Sequence, residues 1–233
     1  MFTKRFAVAL VALVAVATLQ GIASAQPFDA RGTFNGWAQT PMTDNLDGSY
    51  SVTIPGLVPG AIENWKIDTG NWTASWPGSN VASAVDAAGN MTLHFRPGPI
   101  ADGWSPAADR VGYSDPGQFG WEIMGSFNNW DALVDTAARQ MTDLGSGLYS
   151  VDYTIATPGM HNFKFRKSGD WAVAIGDDFG NAAANIPVTT TVPNELLTFQ
   201  LDLPNGRFQV VPEPATLTLL GGVIGLVLIR RRH

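Results

Sequence analysis

Gly32-Thr33-Phe34-Asn35-Gly36-Trp37 and Gly125-Ser126-Phe127-Asn128-Asn129-Trp130 are two versions of one phrase, set 93 residues apart. The residues downstream of each phrase set the fold class. A polar turn leads in both places to an alternating run, Asp47-Gly48-Ser49-Tyr50-Ser51-Val52-Thr53-Ile54 in the first and Gly147-Leu148-Tyr149-Ser150-Val151-Asp152-Tyr153-Thr154-Ile155 in the second. Side chains two apart share a strand face, so Tyr50, Val52 and Ile54 line one face, as do Tyr149, Val151 and Ile155. Pro59-Gly60 then introduces Trp65-Lys66-Ile67 and Gly70-Asn71-Trp72, just as Pro158-Gly159 introduces Phe163-Lys164-Phe165 and Gly169-Asp170-Trp171. Each copy closes on one more alternating strand, Met91-Thr92-Leu93-His94-Phe95 and Leu197-Thr198-Phe199-Gln200-Leu201. No convincing helical period interrupts the stretch from Gln26 to Val211.

Many short strands punctuated by Gly, Pro, Asn and Asp predict an all-β body of two tandem Ig-like β-sandwich modules. The expected boundaries are 26–98 for the first module, 99–118 for a Pro/Gly-rich connector and 119–210 for the second module. A flexible linker rarely carries groups as large and apolar as Trp104, Val111 and Tyr113, so the connector is expected to pack on one module and to offer an edge strand.

The two ends read differently. Lys4 and Arg5 precede an apolar stretch from Phe6 to Leu19 and the small-x-small triplet Ala23-Ser24-Ala25, which predicts a helical secretory signal peptide over residues 1–25. At the other end, Val211-Pro212-Glu213-Pro214-Ala215 opens an uncharged apolar run that stops at Arg230-Arg231-Arg232. From Ala215 to Ile229 a helix measures about 22 Å, short of the bilayer core of about 30 Å. The arginines hold its end on the cytoplasmic side and place the rest of the chain across the membrane. By hydropathy alone an ordinary tail anchor fits as well. The order of parts separates the two: Pro-Glu-Pro, a short apolar helix holding Gly221, Gly222 and Gly225, then arginines. That order resembles the PEP-CTERM sorting signal, carried over residues 211–233 by Pro212, Glu213, Pro214, Arg230, Arg231 and Arg232. The resemblance implies export through the Sec machinery, inner-membrane anchoring that is at least transient, and processing by an exosortase. It further implies delivery to the cell surface or extracellular matrix of a Gram-negative, exopolysaccharide-producing bacterium.

The chain holds 14 basic and 20 acidic residues, a formal net charge of −6. Removing both ends takes away five of the basic residues and one of the acidic ones, leaving nine against 19 and a body near −10. An acidic body with no basic cluster argues against nucleic acid as a partner, because such binding neutralises phosphates. With no cysteine, thiol catalysis and cysteine metal sites are excluded, and an exported chain must rely on its core rather than on disulfides.

Catalytic signals are missing. The acids sit in turn contexts, Asp44 and Asp47 before Gly48, Asp143 before Gly145, Asp177 and Asp178 before Gly180, where aspartate bonds its own backbone. Asp44-Asn45-Leu46-Asp47-Gly48 lacks the oxygen spacing and final glutamate of a calcium loop, so no metal is assigned, and no cofactor is expected. No serine or histidine motif marks a nucleophile. The chain is therefore expected to bind rather than to react.

The positive signal is aromatic. Eight tryptophans lie in the body, and Trp37, Trp72, Trp130 and Trp171 fall at equivalent turns or strand ends, where an indole can stay exposed. A sugar ring has apolar C–H faces that stack on an indole while its hydroxyls reach amides and charges. The alternative is that all four fill core space. For Trp65, aligned with Phe163, core is the expectation.

The second copy resembles the glycogen-binding module of the AMP-activated kinase β-subunit and the starch-binding modules attached to pullulanases. These share the order Gly-Ser-Phe-Asn-Asn-Trp, Tyr/Phe-Lys-Phe, Gly-x-Trp and a late Asn. The resemblance implies that Trp130, Lys164, Trp171 and Asn185 cradle an α-1,4-glucan. In the first copy the matching positions are Trp37, Lys66, Trp72 and Asn80, and Gly36 departs from the pattern where the second copy has Asn129. The expectation is an exported, non-catalytic surface protein with tandem modules for an α-glucan or other exopolysaccharide. A structural or adhesive surface protein that uses its sandwiches for protein contacts is the rival, and a hydrolase is the third class.

Overall fold

A computed structural model of the protein describes residues 27–115, 117, 119–131 and 133–213. The expected signal-peptide helix and the sorting helix, with Pro214 and the three terminal arginines, lie outside the described residues. Among the described residues no helix is long and apolar enough to cross a membrane.

Among the described residues strand makes up 49% and helix 3%, so the described body is nearly all β. The first copy forms β1 (Asp29–Gly32), β2 (Thr40–Pro41), β3 (Thr43–Asp44), β4 (Tyr50–Ile54), β5 (Ile62–Asp68), β6 (Ser75–Ala84) and β7 (Met91–Arg96), and the stretch expected as a connector contributes β8 (Arg110–Tyr113). The second copy forms β9 (Trp121–Gly125), β10 (Thr142–Asp143), β11 (Leu148–Ile155), β12 (Gly159–Lys167), β13 (Asp170–Ile175), β14 (Ile186–Thr190), β15 (Glu195–Asp202) and β16 (Arg207–Pro212).

All pairings are antiparallel. The first copy gives two sheets, ordered β2-β1-β5-β6 and β3-β4-β7-β8. The second repeats the plan with β10-β11-β15-β16 and a sheet in which β12 pairs with β9 along one side and with β13 and then β14 along the other. In the first copy β6 alone covers the ground that β13 and β14 divide, because its register on β5 slips between Ile67↔Trp76 and Trp65↔Val81. The slip frees Pro77–Asn80 as a bulge.

Four small four-stranded sheets make a propeller-like set of four blades. The sheets of a copy interleave in sequence, however, and aromatic contacts join them in pairs. Phe28, just ahead of β1, meets Tyr50 and Phe95 with centroids 4.7 and 4.8 Å apart, and Trp65 meets Tyr113 at 6.3 Å. In the second copy Phe163 meets Phe199 at 5.0 Å. Burial follows the alternation read from the sequence: on β11, Tyr149, Val151, Tyr153 and Ile155 are buried while Asp152 and Thr154 are exposed. Trp65 and Phe163 are both fully buried.

The copies are fastened to each other at two places. At the first, the stretch from 99 to 115 packs against both copies rather than one. Ser105 and Phe208 exchange backbone hydrogen bonds at 2.8 and 2.7 Å, and the Tyr113 N–H donates to the Leu203 carbonyl at 3.0 Å. Asp102 pairs with Arg110 and with Arg207 at 2.8 and 3.0 Å, Trp104 stacks on the Arg207 guanidinium at 4.5 Å, and the Tyr149 hydroxyl donates to Asp115. At the second, the Pro77–Asn80 bulge meets the turn after β13: the Asn181 N–H donates to the Asn80 carbonyl and the Gly78 N–H to Asp178 Oδ2, both at 2.8 Å.

Candidate functional site

The repeated phrase builds the same corner twice. After Gly32 and Gly125 the chain makes one 3₁₀ turn, Thr33–Asn35 and Ser126–Asn128. The Asn35 and Asn128 side chains accept from the Gly32 and Gly125 N–H groups at 3.2 and 2.9 Å. Two left-handed residues come next, Gly36 and Trp37 at φ 63° and 66°, Asn129 and Trp130 at 56° and 55°. The Trp37 and Trp130 N–H groups close the corner on the Gly32 and Gly125 carbonyls at 2.8 and 2.9 Å. Glycine and asparagine enter this region most readily, so the exchange of Gly36 for Asn129 keeps the backbone path. Gly32 and Gly125 are required for a different reason: a Cβ there lies 2.7 Å from the Asn64 or Asn162 carbonyl.

Each corner delivers its tryptophan to the one on the Gly-x-Trp turn. Trp37 and Trp72 have centroids 6.1 Å apart and tilted by 45°, and Trp130 and Trp171 stand 6.0 Å apart at 43°. Trp72 and Trp171 are 45% and 43% exposed, so about half of each indole faces water. The four turn tryptophans are thus paired within their own copies and not packed between them. A cleft of about 110 Å³ lies elsewhere, lined by Asp47, His94, Arg96, Arg110, Pro204 and Asn205.

Under each exposed indole lies a buried arginine. Arg31 stacks on Trp72 at 4.8 Å and Arg166 on Trp171 at 4.6 Å. Such a cation fixes the ring plane and is worth about 0.5–2 kcal/mol. In the first copy Arg31 Nε donates to Asp68 Oδ1 at 3.0 Å, Nη1 to the Trp37 carbonyl at 3.1 Å and Nη2 to the Gly70 carbonyl at 2.7 Å, so one side chain ties both tryptophan turns together. Burial, with Asp68 close by, raises the pKa of Asp29 against the pull of Arg31. In the second copy the charges are exchanged. Glu122 Oε1 accepts from Arg166 Nε at 2.6 Å and the Gly169 N–H at 2.9 Å, and Oε2 from Arg139 Nε and Gln140 Nε2, both at 2.7 Å. Burial pushes the Glu122 carboxyl up, but these donors overcome it and hold its pKa below the ordinary value.

Both expected lysines and Asn80 lie toward the seam between the copies. Lys66 opposes Arg31 across β5 and β1 and so shares its sheet face, but its Nζ donates to the Gly78 carbonyl at 2.8 Å. Lys164 Nζ donates to the Asn181 carbonyl at 3.3 Å. Asn80 is exposed and lends its carbonyl to Asn181; Asn185 is exposed just before β14. Sequence reading missed the arginines and Glu122, although Arg166 stands two residues from Lys164 and period-2 spacing alone puts it on the same face. Among the described residues no three acidic or histidine side chains are placed to hold a metal ion.

The sorting motif begins inside the fold. Pro212 pairs with Leu197 at the end of β16, and the Glu213 N–H donates to the Leu196 carbonyl at 3.1 Å.

Residues 210–232 match the family model of the PEP-CTERM protein-sorting motif. The match indicates an exosortase-sorted surface protein, exported and anchored to a membrane at least transiently. No curated protein matches the chain. Among solved structures it is similar to a pullulanase from Bacillus acidopullulyticus at 13% identity, with a TM-score of 0.28, over 81% of this chain and 28% of that one. The chain thus spans under a third of that enzyme, and a likeness this distant carries no weight for fold or function.

Proposed function

We propose that this is a non-catalytic surface protein whose two sheet pairs are Ig-like sandwiches, each presenting an indole pair to a polysaccharide, with an α-glucan-like chain as the preferred glycan. The observation that carries the reading is that one arrangement is built twice from one phrase: a half-open indole backed by a buried arginine, with a second, partly buried indole about 6 Å away. A tilted pair of flat apolar surfaces suits the C–H faces of successive sugar rings, and an open platform suits a polymer that must pass through rather than end in a pocket. Two such platforms on one body make the second contact intramolecular, so avidity exceeds either affinity by roughly 10²-fold or more. Exosortase sorting would place this body beside exopolysaccharide.

A second reading has its own support. Lys66, Lys164 and Asn80 serve the seam between the copies, which suits a structural or adhesive surface protein. Titration with maltohexaose, read by tryptophan fluorescence, separates the two. The glycan reading expects a saturable change that Trp171→Ala reduces and Trp37→Ala/Trp171→Ala abolishes. No change with maltohexaose or with the producer's own exopolysaccharide leaves the adhesive reading, and release of reducing ends would make the protein a hydrolase.

A further inference from the structure

We propose that the end of the second copy from which the chain leaves is a seat for a lipid surface, where Met160, Val192, Leu196 and Val211 rest on the bilayer interface while the sorting tail is inserted. This rests on the membrane reading of the tail and not on glycan binding. The body has no spacer before the motif. β16 stays paired as far as Pro212, the Glu213 N–H is held by the Leu196 carbonyl at 3.1 Å, and Glu213 Oε1 accepts from Thr198 Oγ1 at 3.0 Å. The apolar run starts two residues later at Ala215, and two residues span about 7 Å at most. A body tethered this closely cannot stand off from a membrane that holds the run, so the turns beside Pro212 lie at headgroup depth.

Those turns carry apolar side chains turned to solvent. Met160 is 75% exposed at the start of β12, Val192 53% between β14 and β15, Leu196 40% and Val211 42%. They stand at one end of the copy, Leu196 and Val211 on the outer face of one sheet and Met160 on the outer face of the sheet that packs against it. Val211 opposes Thr198, two along from Leu196 and on the same face, a diagonal of about 7–8 Å. The Asn194 N–H donates to the Ala156 carbonyl at 3.2 Å and Thr190 Oγ1 to the Thr157 carbonyl at 3.0 Å, which lays the Val192 turn beside the start of β12. Residues 154–162, 186–198 and 208–213 hold no lysine or arginine; the acids at this end are Glu195 and Glu213, with Asp152 bonded to Thr198 opposite Val211. Apolar contact rather than attraction to anionic headgroups therefore drives the seating, which points to a zwitterionic surface.

The chain has no cysteine, so one nitroxide at a time reports position in the full protein: Met160→Cys, Val192→Cys, Val223→Cys in the tail, and Leu46→Cys on the exposed hairpin of the first copy. On reconstitution into phosphatidylcholine vesicles, collisions with lipid-soluble oxygen should rise and those with a water-soluble nickel chelate should fall several-fold at 160, 192 and 223, and stay unchanged at 46. If 223 shifts while 160 and 192 remain aqueous, the seat is overturned and the tail reading stands. If 223 itself remains aqueous, the tail reading falls and takes the seat with it. Equal shielding of 160 and 192 before lipid is added would assign the patch to a second copy of the chain and also overturn the proposal.

Discussion

Glu122 is the residue on which the second indole platform depends, because its carboxylate receives four donors from Arg139, Arg166, Gln140 and Gly169 with no exposure to water. Glu122→Gln removes the carboxylate that two buried guanidinium groups share and should lower unfolding stability by about 3–5 kcal/mol, measured by urea denaturation. The direction of the shift sets the pH dependence. A carboxyl with a depressed folded pKa contributes stability above its unfolded value, near 4.3, and loses it as pH falls through the lower folded value. The variant should therefore flatten the acid limb of the stability curve. Asp29 works in the opposite sense, since its raised folded pKa gives stability at low pH that is lost as pH rises through that value. Asp29→Asn should be neutral or stabilising at pH 7, and a loss there would contradict the account. None of these pairs was legible in the sequence. Glu122 and Arg166 are 44 residues apart, and only folding makes them partners. The tryptophans were legible because each stands after a turn whose chemistry is local.

The strands themselves were read from alternation, and β11 and β15 lie where that pattern put them because one face of each meets core and the other meets water. The division of β6 into two registers was not legible, since a bulge depends on what opposes it. β8 was only suggested, because proline and glycine around a short apolar run read as connector until a partner strand is known. Gly112 on β8 shows what the pairing demands: a Cβ there would lie 2.6 Å from the Leu203 carbonyl, backbone that cannot swing aside. Gly112→Ala should cost about 1–3 kcal/mol, as overpacking does, and loosen the junction between copies. The corner turn makes a matching prediction. Asn129→Gly should be nearly silent, as Gly36 already is in the first copy, whereas Asn129→Val forces a β-branched residue to φ near 56° and should displace Trp130. A heat scan of each variant and the maltohexaose titration report the two effects separately.

The sequence reads as two modules with a connector packed on one of them, but the molecule holds the copies as one body through Asp102, Trp104 and Ser105 at one seam and through Gly78–Asp178 and Asn80–Asn181 at the other. Its buried apolar residues form one cluster spanning both copies. Residues 27–213 should therefore unfold in a single cooperative transition, with calorimetric and van't Hoff enthalpies in agreement; two resolved transitions would show that the seams contribute little. A rigid body fixes the spacing of the two indole pairs, and under the proposed glycan reading that fixed spacing would let two weak contacts act together on a long polymer. The most direct measurement is affinity electrophoresis of the exported body through gels containing glycogen, amylopectin, cellulose or the producer's exopolysaccharide, beside Trp37→Ala/Trp72→Ala and Trp130→Ala/Trp171→Ala. Retardation by α-glucans that weakens in each double variant and disappears when all four indoles are removed is the predicted result; unchanged mobility of the unaltered body in every gel would contradict it.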